Sequence, residues 1–234
     1  MLRIRQVRSS ADPAIAEFGR LQRDVYFDAQ HLIPGEFIPR LLEARGGARL
    51  DFLLVAEKEG VLLGGTLFHY LAAAHSGFSS FMGVAAAARG RGIARQLHAA
   101  RFEVLDAAAE RPVPGIFIDV TAPERVASEK IEAERRFGYE PSDRRKVFQA
   151  LGFRKVDVRY EQPVGGPGGG PLTTLDLLFC PRDAETARIP TSLVLETMRA
   201  YWTPWLGSER AEREVAKLRS RAGGESLALV PANG

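Results

Sequence analysis

The chain has 234 residues, 45% of them hydrophobic and 26% charged, with a formal net charge of +3 at pH 7. This composition excludes a disordered chain, and so small a positive excess argues against a nucleic-acid surface while leaving room for an anionic ligand. Cys180 is the only cysteine, which rules out an intrachain disulfide and the usual multi-cysteine zinc sites and leaves the thiol as a small buried hydrophobe.

Met1 to Arg8 alternates polar and apolar residues and lacks the apolar run of a signal peptide. No apolar stretch approaches the ~20 residues of a membrane span. A soluble cytoplasmic protein is expected, with neither membrane nor nucleic acid as partner.

In chain order, Leu2 to Val7 has the period of a half-buried strand. Asp12-Pro13 then starts a helix with Ile15, Phe18, Leu21 and Val25 on one stripe. Phe27 to Pro39 reads as a loop, and Arg40 to Arg45 as a short helix ending at Gly46-Gly47. Two strands, Phe52 to Glu57 and Val61 to Leu71, form a hairpin around Lys58-Glu59-Gly60, and Gly64-Gly65 suggests a bulge or a close backbone contact. Phe78 to Val84 is the next strand. It runs through an Arg- and Gly-rich turn into a helix over Gly92 to Glu110 with Ile93, Leu97, Ala100 and Val104 on its buried face.

That turn is the most informative stretch. The first N–H groups of a helix lack partners inside it and, with the positive end of its dipole, form a seat for phosphate. Gly90 and Gly92 carry no β-carbon to keep a ligand off the main chain, while Arg89 and Arg91 add fork-shaped donors. A solvated turn that merely starts a helix fits these few residues equally well. An RNA-binding Arg-Gly segment fits worse, because such segments are usually repeated and this one is single and flanked by apolar periodicity.

Ile116 to Val120 is a buried central strand, so the order strand, turn, helix, strand makes a parallel crossover with the turn at the ligand-binding end of the sheet. Glu124 to Arg136 reads as a solvated charged helix, Asp143 to Gly152 as a glycine-closed helix, and Arg154 to Tyr160 and Thr173 to Cys180 as strands flanking a Gly- and Pro-rich loop. Pro190 to Trp205 reads as an appended helix that packs on the domain or on a partner, a second copy included. Glu209 to Arg221 is a charged helix, and the last dozen residues read as frayed.

Arg89-x-x-Gly92-x-Ala94 resembles the pyrophosphate loop of the GNAT superfamily of acyl-CoA-dependent N-acetyltransferases. Phe148-Gln149-Ala150-Leu151-Gly152-Phe153 resembles the segment that closes the GNAT core, and it lies at the expected place after the crossover. The resemblance implies an α/β fold with a mixed, splayed sheet of about seven strands, opened between Phe78–Val84 and Ile116–Val120 to hold acetyl-CoA. It assigns residues 1–181 to the acyltransferase domain, and beyond it the residue pattern makes 182–222 a helical extension and 223–234 a flexible tail. Met82, Gly83 and Val84 would offer main-chain groups to the pantetheine arm and acyl carbonyl, and Arg89, Gly90, Arg91, Gly92, Ile93 and Ala94 would cradle the pyrophosphate. No metal is implied.

The expected activity is direct transfer of acetyl to an amine of a small-molecule or peptide acceptor in a ternary complex. A CoA-binding module without catalysis and a transferase of longer acyl chains are the alternatives. Three positions depart from the family pattern. Phe148 stands where a thiolate-protonating Tyr is common, Pro141 where a cofactor-binding Asn is common, and Ser79-Ser80 where a basic Glu is common. Asp119, a carboxylate in an apolar strand, is the leading catalytic substitute, because burial would raise its pKa. A structural carboxylate bonded to backbone, Arg144 or Arg145 is the competing reading. Glu124, Tyr139 and a site-facing His69 are weaker candidates; His75 is expected in a loop and His98 on a helix surface. The segments Phe27 to Pro34 and Tyr160 to Pro163 are expected to border the acceptor entrance. Cys180 lacks a matched activating base.

Overall fold

A computed structural model describes residues 1–26, 32–44, 47–136, 138, 140–164 and 170–233. Tyr139 and most of the segment 27–34 therefore lie outside the described residues. The strands are β1 (Arg3–Val7), β2 (Arg49–Lys58), β3 (Val61–Leu71), β4 (Ser76–Val84), β5 (Gly115–Thr121), β6 (Arg154–Val156), β7 (Leu175–Pro181), β8 (Arg188–Pro190) and β9 (Ser226–Pro231). They form one sheet in the order β1-β2-β3-β4-β5-β7-β6-β9-β8, antiparallel except for β4 against β5.

The helices cover both faces. On one lie α3 (Ile93–Ala109) and α5 (Pro141–Ala150), with α4 (Ser128–Arg136) against α5; on the other lie α1 (Ala14–Val25), α2 (Ile38–Glu43), α6 (Thr191–Leu206) and α7 (Ser208–Arg221). Helix α1 starts where the Asp12 carboxylate accepts the Ala14 N–H at 3.0 Å, and its apolar stripe seats Phe18 on the sheet. The two glycines of β3 serve both expected purposes. The β2–β3 register slips beside Gly64, and a β-carbon on Gly65 would lie 2.6 Å from the Phe18 ring.

Three expectations are corrected. The sheet has nine strands among the described residues rather than about seven. The chain end is not frayed: β9 pairs with β6 and β8 while Leu227 and Leu229 alternate into the core under α6 and α7. That period-two pattern is short, so its partners, and not its own propensity, make it a strand. The strand expected over Arg154 to Tyr160 stops at Val156.

The appended helix α6 packs on the protein's own sheet. Val194, Leu195, Met198 and Trp202 share one core cluster with Phe78 of β4, Phe117 of β5 and Phe179 of β7. Its polar side chains, Thr197 and Tyr201, meet β4 hydroxyls: Thr197 Oγ1 lies 2.7 Å from Ser76 Oγ.

Candidate active site

The sheet opens where a bulge forces it to. Along β4, Leu67 pairs with Phe81 and Phe68 with Ser79, which leaves Ser80 as an extra residue. A bulge kinks its strand and raises its twist. Parallel pairing of β4 with β5 accordingly ends at Ser79–Ile118. Beyond it, Met82, Gly83 and Val84 still pair with Thr66, Gly65 and Gly64 of β3 on one side and have no β5 partner on the other. Asp119, Val120 and Thr121 pair only with β7. The result is a wedge-shaped gap with main-chain groups along one wall.

The Arg-Gly turn lies at the mouth of this gap. Gly90 and Gly92 have φ of 75° and 74°, left-handed values that strain any other residue, and a β-carbon on either would point into open space. Gly92 caps α3 without a side-chain hydrogen bond, and the first turn holds no acid. The amino end of a 17-residue helix is thus offered to an anion, with Arg89, Arg91 and Arg95 around it. Ile93 and Ala94 begin that helix, with Ile93 buried. The cradle fits a pyrophosphate, and the open β4 edge fits an amide-bearing arm.

Ordinary strand alternation sends the adjacent serines to opposite faces. Ser79 accepts a hydrogen bond from Arg101 Nη1 at 2.7 Å on the α3 side. Arg101 is fully buried, and burial lowers its pKa to about 10, so it stays charged at neutral pH. Its Nη2 lies 2.6 Å from Nδ1 of His98, whose Nε2 lies 3.4 Å from the Cys180 sulfur. Here the structure corrects two expectations: His98 is buried rather than on the helix surface, and Cys180 does have an imidazole beside it. Neither group ionises, because burial pushes the thiol up to about 11 and, with Arg101, the imidazole down to about 3. Cys180 remains a core residue.

Ser80 turns to the α6 side, where it hydrogen-bonds Nε2 of His69 and lies 3.3 Å from the Tyr201 hydroxyl. Nδ1 of His69 is 2.5 Å from Asp51 Oδ1, directly across the hairpin. Arg49 pairs with the same carboxylate at 2.7 Å. Its Nη2 lies 3.1 and 3.3 Å from the two imidazole nitrogens, and so sits over the ring face. Tyr201 is stacked on Phe78 at 3.8 Å, and burial holds its hydroxyl far above the ordinary range.

Asp119 faces the same side. Its Oδ2 is 3.3 Å from the Tyr160 hydroxyl, which also bonds Gln162, and Trp202 Nε1 donates to Gln162 at 3.1 Å. The arginines expected as its partners are engaged elsewhere: Arg144 pairs with Glu134, and Arg145 with Asp176 and Glu124. Glu124 is thereby committed to a surface ion pair. His75 lies in a turn, 3.1 Å from the Tyr70 hydroxyl. Asp51 and Tyr201 are not among the residues the sequence marks for the site; Tyr160 begins a segment expected at the acceptor entrance. Counting the hairpin register back from Lys58–Val61 would put Leu50 opposite His69, and only the slip between Ala56 and Glu57 brings Asp51 there, while the tyrosines reach the gap through tertiary packing.

A parallel pair split by a bulge, with an uncapped helix opening beside it, is the GNAT fold, and the chain has that fold. Among solved structures, one assigned to the GNAT acetyltransferases from Desulfovibrio desulfuricans superposes with a TM-score of 0.52 at 12% identity, covering 77% of this chain and 99% of its own. Another from Bacteroides thetaiotaomicron gives 0.50 at 17% identity over 88% and 98%. A tandem GNAT protein from the clavulanic acid biosynthesis pathway gives 0.50 at 17% identity over 69% and 46%. No protein-family model matches the chain, nor does any curated protein.

Proposed function

We propose that this protein is an N-acetyltransferase that moves acetyl from acetyl-CoA to an amine by direct attack in a ternary complex. The observation that carries the reading is the β4–β5 gap with the Gly90–Gly92 cradle at its mouth. Bound acetyl-CoA would supply an activated thioester carbonyl. Arg89, Arg91 and the amino end of α3 would hold its phosphates, and the open edge over Met82 to Val84 would align its arm. Asp119 would act on the acceptor side as the carboxylate that accepts an N–H hydrogen bond from the neutral amine and orients its lone pair toward the thioester.

The character of α6 supports a short acyl group over a long one. Val194, Leu195, Met198 and Trp202 are used up in the core, and the polar group that α6 presents beside Ser80 is the Tyr201 hydroxyl. The test is release of free CoA thiol from acetyl-CoA against a panel of primary amines. The expected result is amine-dependent release by the wild type and a 10- to 100-fold higher KM for the amine in Asp119→Asn. Binding of acetyl-CoA without release for any amine would favour a CoA-binding module. Asp119→Asn turnover equal to wild type at every pH would remove that carboxylate from the mechanism.

A further inference from the structure

The bond directions around His69 follow from the charge at one end. Asp51 is hydrogen-bonded to His69 and paired with Arg49, and although burial opposes it, these contacts hold its carboxyl below the ordinary carboxylate range. An anionic Asp51 requires Nδ1 of His69 to carry the proton. Burial first, and Arg49 second, bring the His69 pKa down to about 4, so the ring is neutral at pH 7 and Nε2 bears a lone pair. Ser80 must therefore donate its hydroxyl proton to Nε2. Its oxygen keeps two acceptor positions; Tyr201 O–H donates to one across 3.3 Å, and the other remains for a ligand.

This chain ends at Ser80, the first β4 residue past the last β4–β5 pair and a partly exposed one. His69, by contrast, is fully buried. The charged or titratable groups facing the ring among the described residues are Asp51 and Arg49 from β2 and Tyr201 from α6, with Asp119 of β5 acting electrostatically on Tyr201. A purely structural network would be expected to end inside the core. This one runs from the core to the point where the sheet opens.

We propose that Ser80, His69 and Asp51 form a proton relay that takes the proton leaving the acceptor's amine nitrogen, with Ser80 meeting the amine and His69 and Asp51 acting through it. The proposal rests on the acyltransferase reading. As the C–N bond forms and the C–S bond breaks, the N–H proton passes to Ser80 Oγ while Ser80's own proton passes to Nε2 of His69. Asp51 stabilises the resulting imidazolium, which gives its proton back through Ser80 at the partly exposed edge of the gap once the amide has formed, and the departing sulfur takes up a proton. Amine and thioester thus become amide and thiol with no other reactant. Tyr201 is a positioning residue, a neutral donor that fixes the Ser80 rotamer. The relay replaces the missing Glu, and its parts come from three strands.

Three measurements test it together. In histidine-labelled protein, 15N NMR should show the His69 ring neutral with its proton on Nδ1 between pH 6 and 8, and Asp51→Asn should abolish that state. Calorimetry should give acetyl-CoA affinities within threefold of wild type for Ser80→Ala, His69→Gln and Asp51→Asn. With hydroxylamine as the probe acceptor, acetyl transfer at saturating acetyl-CoA should fall by roughly 100-fold in Ser80→Ala and His69→Gln, the scale of general-base assistance. Ser80→Thr, which keeps the hydroxyl, should recover most of it. A doubly protonated His69 at pH 7, variants that transfer like a wild type of normal acetyl-CoA affinity, or no transfer by such a wild type would overturn the relay alone. So would an acetyl group found on Ser80 by mass spectrometry, since it would make that serine a nucleophile. Failure of the wild type to bind acetyl-CoA would overturn the acyltransferase reading itself.

Discussion

Trp202→Ala is expected to lower the free energy of unfolding by about 3–5 kcal/mol, the usual cost of emptying a large buried aromatic site. Trp202 is 1% exposed, sits in the cluster that joins α6 to Phe78, Phe117 and Phe179, and donates its indole N–H to Gln162. Truncation removes apolar burial, opens a cavity and deletes a bond to an amide that also holds Tyr160 beside Asp119. Trp205, three residues on and 37% exposed, provides the contrast, with Trp205→Ala expected to stay within about 0.5 kcal/mol of wild type. Urea unfolding of the two variants makes the comparison. Equal stability would mean that α6 is not docked, and Tyr201 could then not reach Ser80.

Acidification is expected to weaken the fold well above the range in which carboxylates titrate. His69 and His98 have pKa values brought down to about 4 and about 3, first by burial and then by Arg49 and Arg101. In the unfolded chain both titrate near their ordinary value of about 6.5, so below that pH the unfolded state binds more protons. Stability is therefore full above pH 6.5 and falls as pH drops toward 4. At about 1.4 kcal/mol per pH unit per ring, the loss at pH 5 relative to pH 7.5 is on the order of 4 kcal/mol. Urea midpoints at pH 7.5, 6 and 5 measure it. An unchanged midpoint would contradict the burial of two neutral imidazoles.

How much of this was legible in the sequence depends on the range of the interaction. The turn proposed as the phosphate cradle was legible as a helix start because it is local: Gly90, Gly92 and the start of α3 are fixed by a few consecutive residues and by helix-end physics. The gap was implied by the family resemblance, but its cause, the extra residue at Ser80, is a register slip against β3 that no single strand displays. The acceptor side was mostly hidden. Asp51, His69, Ser80 and Tyr201 come from β2, β3, β4 and α6, and only the packed sheet brings them together. The Ser79-Ser80 pair looked like a missing base. Strand alternation instead gives one serine to Arg101 and the other to His69. The charge pattern of α4 did read correctly as a solvated face, with Glu134 its only buried residue. The terminal strand was misread because Leu227 and Leu229 acquire meaning only beside β6 and α7.

The most direct test of the account is a calorimetric titration of the wild-type protein with acetyl-CoA, alongside Gly92→Trp and Arg89→Glu. Gly92 holds a left-handed φ of 74° at the cap of α3, where an indole would be strained and would occupy the space above the helix end, while Arg89→Glu reverses the charge beside it. The expected result is one site per chain with micromolar affinity in the wild type and at least a 100-fold loss in each variant. A wild type that takes up no acetyl-CoA at millimolar concentration, or variants that bind it as the wild type does, would contradict the assignment of this cradle.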